Sequence, residues 1–67
     1  MAHTQLPKKV RQLRLARGLT QEELAKQAGL HRVYLTQLEL GIHRNQTLDT
    51  LQRLARALNV SVADLLE

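Results

Sequence analysis

The sequence has no cysteine, which excludes disulfides and thiolate metal sites as staples for the fold. It has no tryptophan or phenylalanine and a single tyrosine, so any core must be aliphatic. No uncharged apolar run is long enough to cross a bilayer or to form the core of a secretion signal. Residues 1–19 contain no acid, and nowhere does the strict alternation of a half-buried strand appear. Repeats and low-complexity tracts are missing too. What is present is leucine, fifteen of the twenty-nine hydrophobic residues among 67 in all. A chain this short makes one domain, residues 1–67, stabilised by close packing of Leu-rich helices or by a partner subunit. The expected setting is the cytoplasm, with which the missing cysteines are compatible.

The net charge of +4 is unevenly placed. Lys8, Lys9, Arg11, Arg14 and Arg17 crowd the first 19 residues, while the rest of the chain is close to balanced. A basic end on a small helical chain suggests a polyanionic partner, against the plainer reading of a solvated helix face.

Punctuation divides the chain into five short helices. Pro7 suits a first turn, with Leu6, Val10 and Leu13 at helical spacing around it and Gly18 placed to end the helix. Thr20 and Glu23 form a capping box for a second helix carrying Leu24, Ala25 and Ala28 and ended by Gly29. A third helix runs to about Leu40 with Leu35 and Leu38 on one face, and Gly41 is its stop. Residues 42–46 read as a loop. Thr47 caps a fourth helix whose apolar side is Leu48, Leu51, Leu54, Ala55 and Leu58, ending at Asn59. Ser61 with Asp64 caps a last turn or two that ends at Leu65 and Leu66.

Residues 21–40 are the informative segment. Two helices joined by a short turn cross steeply only if a small residue sits where the backbones meet. Ala25 is that residue, Gly29 supplies the turn, and Leu24, Leu30, Leu35 and Leu38 fill the angle. Together these offsets specify a helix-turn-helix. At about 100° per residue, Leu35, Leu38 and Glu39 share the core side of the third helix. Thr36, Leu40, Val33 and Gln37 then fall at roughly 100°, 140°, 160° and 200°, a mostly uncharged face. Such a face suits a major groove, where Gln37 can read adenine and a methyl of Val33 or Thr36 can pack on thymine. Arg32, in the first turn, reaches guanine or a phosphate. Gln21 puts a polar group beside a helix N-terminus that already favours anions.

The stretches LRLARGLTQEELA, GLHRVYLTQLELG and RNQTLDTLQRLARALNVSVADLL resemble the Cro/C1-type (XRE-like) helix-turn-helix family of phage repressors, restriction-modification controllers and antitoxin-type regulators. The resemblance runs from about Val10 to Leu66. It implies an all-α, compact five-helix, lambda-repressor-like DNA-binding domain that binds double-stranded DNA in a sequence-specific way and regulates transcription as a homodimer. Residue by residue, it implies an ion pair between Arg14 and Glu39, phosphate contacts from Gln21, His31, Tyr34, Arg44 and Asn45, and a dimer interface including Leu66. For Tyr34, packing under the loop is an equal alternative. The RVYL and RN stretches tilt the reading towards the controller type. The sequence departs from the family at His31, where Ser or Thr usually caps the recognition helix, at Leu40, and in a loop one residue longer than the commonest form.

Other classes are weaker. His3, His31 and His43 are far apart and lack helical pairing, so no metal is expected. Glu22 and Glu23 suit a helix N-terminus, and no nucleophile–base pattern or phosphate loop suggests an enzyme. No cofactor or small-molecule ligand is expected. A protein-binding adaptor or antitoxin module could use the same scaffold. A membrane-surface role for KKVRQLRLAR is disfavoured, because Leu15 is the lone apolar residue on its outer face.

Overall fold

The structure, a computed structural model, describes residues 5–42 and 46–67. Over these residues the chain forms helices α1 (Leu6–Ala16), α2 (Gln21–Ala28), α3 (Arg32–Glu39), α4 (Leu48–Leu58) and α5 (Val62–Leu66), with no strand. Helix α2 packs on both α3 and α4, while α1 bridges α3, α4 and α5.

Local chemistry sets the helix starts. Thr20 Oγ1 accepts from the Glu23 N–H at 3.0 Å, and the Glu23 carboxylate accepts from the Thr20 N–H at 2.8 Å, closing the expected capping box of α2. Ser61 and Asp64 repeat it for α5 at 3.0 and 3.1 Å. Thr47 caps α4 by accepting from the Thr50 N–H at 3.1 Å. Helix α3 is the exception: His31 occupies its N-cap position with no side-chain cap bond.

The four longer helices end alike. The amides of Leu19, Leu30, Ile42 and Val60 donate at 2.8–3.1 Å to the carbonyls of Arg14, Ala25, Gln37 and Ala55, five residues back. This closure requires a left-handed residue just before the donor. Gly29 supplies it at φ +70°, and Asn59 does so at φ +59°, the one non-glycine with positive φ among the described residues. Leu19, Leu30 and Val60 then pack against the core, so each stop also aims an apolar side chain inward.

The core is leucine with small spacers. Leu24, Leu35, Leu38, Leu54, Leu58 and Leu65 are fully buried, with Val10, and Ala25, Ala28 and Ala55 allow the close approach of helices. Burial of one leucine side chain contributes about 1.5–3 kcal/mol, so this set is the main source of stability. Leu66 is exposed while its neighbour Leu65 is not, and Leu15 is exposed as its helical position requires.

Leu48 departs from the sequence reading. It belongs to the apolar stripe of α4 by spacing, yet it is 62% exposed. As the first residue of the helix, its side chain leans towards the N-terminus, off the end of the bundle, where no neighbouring helix covers it.

Asp64 gives the fold a pH signature. The Ser61 N–H, then the Ser61 hydroxyl, hold its carboxyl below the usual 3.8. The folded value lies below the unfolded one, so the cap contributes fully above 3.8 and is lost as pH falls through the folded value. Melting midpoints taken as pH is lowered past 3.8 should fall more for the parent than for Asp64→Asn. Equal slopes would mean that this cap does not couple to the fold.

Candidate nucleic-acid interface

Helix α3 has only eight residues and no side-chain cap at its start, so its position rests on what it packs against. Leu35 and Leu38 are fully buried. Glu39 joins them on that face through charge. The Arg14 guanidinium donates from Nε to Glu39 Oε2 at 2.7 Å and from Nη2 to Oε1 at 3.0 Å, a two-point fork between α1 and α3. Its third nitrogen, Nη1, donates to the Leu19 carbonyl at 2.8 Å. Side-chain exposures of 10% and 3% place the pair inside the fold.

The pair extends into a chain. Gln21 Nε2 donates to Glu39 Oε1 at 3.0 Å, and Thr36 Oγ1 donates to Gln21 Oε1 at 2.8 Å. Thr36 Oγ1 also lies 3.0 Å from the Arg32 carbonyl. Thus α1, α2 and α3 are tied by one polar network, and no buried side-chain polar atom among the described residues is left without a partner. Gln21 and Thr36 are separate candidates by sequence, one for phosphate and one for a base; the structure bonds them to each other. Spacing carried a partial signal, since Thr36 and Glu39 lie three apart on one flank of α3, but the rotamers that close the chain are not legible in it.

The remaining candidates divide by exposure. Arg32 and His31 are exposed at the start of α3, and Val33 is 59% exposed. Gln37 and Thr36 are half-buried at its edges. Tyr34 is half-buried and packs against the core, in keeping with the packing alternative. Leu40 and Ile42, which follow α3, are exposed apolar residues. Arg44 and Asn45 lie outside the described residues, as do His43 and His3. Among the described residues no group of three potential metal ligands comes together, and no helix is long and apolar enough to cross a membrane.

Residues 10–65 match the helix-turn-helix family HTH_3. The chain belongs to that family. This HTH_3 chain is 49% identical over 61 residues to the control protein C.SmaI of Serratia marcescens, a match covering 91% of this chain and 71% of that one. The restriction-modification controller protein C.AhdI of Aeromonas hydrophila superposes with a TM-score of 0.86 at 39% identity, covering 92% of each chain. SinR of Bacillus subtilis, a master regulator for biofilm formation solved in complex with DNA, gives 0.89 at 31% identity over 92% of this chain and 98% of that one.

The buried fork makes a direct stability prediction. Arg14→Ala leaves the Glu39 carboxylate inside the fold without its cation and should cost about 3–5 kcal/mol, much of what a domain this small possesses. Denaturant titration of the variant measures it. A midpoint equal to the parent's would mean that Glu39 is solvated in solution.

Proposed function

We propose that this HTH_3 chain is a transcription regulator that binds double-stranded DNA as a homodimer, with α3 of each subunit lying in the major groove. The observation that carries the reading is the build of α3. It is clamped from within by Leu35, Leu38 and the Arg14–Glu39 fork, and it offers outward a row that is uncharged apart from Arg32 at its start. A merely solvated face would carry charge along its length; a base-reading face needs amides, methyls and hydroxyls. The likeness to a regulator solved in complex with DNA supports the same reading.

In this arrangement Arg32, Val33, Thr36 and Gln37 meet base edges. Gln21, His31, Tyr34, Arg44 and Asn45 hold phosphates, which set position and register without carrying sequence information. Gln21 Nε2 has a second hydrogen beyond the one given to Glu39, so a phosphate contact does not require breaking the network. Lys8, Lys9, Arg11 and Arg17 on and beside α1 add long-range attraction. Exposed Leu66, at the end of α5, lies in the dimer interface. The role is that of a controller-type regulator acting in the cytoplasm, where occupancy of the site blocks or recruits polymerase. No catalytic step is involved.

Selection from a random duplex pool tests the reading. The expected product is a two-fold symmetric site with half-site centres about 34–36 Å apart or a multiple of that. Affinity for it should fall by roughly 10³–10⁵ between 50 and 200 mM salt if six to ten phosphates are held. A flat salt response would sink DNA binding, and an asymmetric site would sink the homodimer. Gln37→Ala should cost about 1–3 kcal/mol on the selected site and relax preference at one symmetric pair of positions. If it weakened selected and random duplexes equally, Gln37 would be a phosphate contact and α3 would be turned in the groove.

A further inference from the structure

Thr36 has one hydroxyl hydrogen, and two acceptors compete for it inside the protein. Gln21 Oε1 lies 2.8 Å away and the Arg32 carbonyl 3.0 Å. The orientation of the Gln21 amide decides what Thr36 must do. Its nitrogen faces Glu39 Oε1 at 3.0 Å; turned over, its oxygen would face a carboxylate, with no hydrogen between them. Glu39 is held as the carboxylate end of the fork by Arg14 at 2.7 and 3.0 Å. The order donor–acceptor is therefore fixed along the whole chain, from the Arg14 guanidinium through Glu39 and Gln21 to Thr36.

This order bears on base reading. A free threonine hydroxyl rotates and can donate to a base carbonyl or accept from a base amino group, so it pairs with either kind. With its hydrogen engaged inward, only its lone pairs remain to face outward. We infer that the Arg14–Glu39–Gln21 chain polarises the Thr36 hydroxyl into an obligate acceptor, so that at the position it contacts Thr36 selects a base bearing a major-groove amino group, cytosine or adenine, over thymine or guanine, which bear a carbonyl there. In this scheme Thr36 touches the base, while Gln21 and Glu39 are positioning residues acting through it. The inference rests on the reading that α3 occupies the major groove. It goes further in assigning the hydrogen-bond sense of one position.

The experiment uses the parent protein and the duplex it selects, scanning each half-site position with bases that lack the major-groove amino group: purine for adenine, pyrimidin-2-one for cytosine. At one symmetric pair of positions, deletion of the amino group should weaken the parent by roughly three- to tenfold, and in Thr36→Val that penalty should vanish. Thr36→Ser keeps the hydroxyl and should restore it. Gln21→Leu should bind all duplexes more weakly through its lost phosphate contact. With only the 3.0 Å Arg32 carbonyl left to hold its hydrogen, the Thr36 hydroxyl is less firmly turned inward, so the ratio between duplexes with an amino-bearing and a carbonyl-bearing base at that position should also shrink to about twofold, which a purely structural role for Gln21 would not produce. The relay is overturned if no position loses its penalty in Thr36→Val, if Thr36→Val instead removes the penalty for deleting a thymine O4 or guanine O6 carbonyl, or if Gln21→Leu keeps the parent's ratio. A parent that binds no duplex specifically overturns the DNA reading and the relay together. Specific binding with any of the three adverse patterns overturns the relay alone.

Discussion

The fork between Arg14 and Glu39 is the constraint on which the placement of α3 depends. Leucines fix how deep a helix sits, but they tolerate rotation and sliding, because dispersion contacts have little directionality. A guanidinium facing a carboxylate at 2.7 and 3.0 Å does not. Removed from solvent, the pair adds little net stability compared with apolar residues of similar size. What it adds is register: α3 can occupy one rotation about its axis relative to α1, and the outward row of Arg32, Val33, Thr36 and Gln37 inherits that rotation.

The contrast between α3 and its neighbours follows from this. Helices α2, α4 and α5 begin at side-chain caps that any chain fragment could form locally. Helix α3 begins at His31 with no side-chain cap, has no acid in its first turn and no base in its last. Each of these omissions removes a local stabilising contribution of about 0.3–2 kcal/mol. The missing acid also leaves the start of the helix free of anionic side chains that would repel phosphate. A capping box there would put a glutamate at Tyr34, three residues after His31 and within one turn of Arg32. The local weakness and the proposed function have one cause, and tertiary contacts through Leu35, Leu38 and Glu39 make up the difference.

Most of the fold was legible because it is written in short-range chemistry. Thr20 with Glu23, Ser61 with Asp64, and the glycine or asparagine stops before Leu19, Leu30, Ile42 and Val60 are patterns whose bonds close within a few residues. The core stripe of α2 and α3 was legible through helical spacing. Leu48 was misplaced because periodicity says which side a residue faces and not whether a neighbour reaches that far along the axis. The Thr36–Gln21 bond was hidden for a related reason. It joins residues 15 apart in sequence through two side-chain rotamers, and nothing in the spacing chooses those rotamers. Tyr34 shows the same limit, since its half-buried packing depends on what lies beneath it.

On the proposed reading, charge and base recognition are separated in this molecule, and the separation is physically useful. Basic side chains on α1 act at long range and are screened by salt over about 8–10 Å. They raise the rate of encounter with any duplex and distinguish none. The outward row of α3 has one charge, on Arg32, and otherwise short-range groups whose energies change sign with the partner's hydrogen-bond pattern. A charged residue in the middle of that row would add affinity to right and wrong sequences together and dilute discrimination. Burying Arg14 and Glu39 as a pair is what lets charge organise the reading helix without appearing on its reading face.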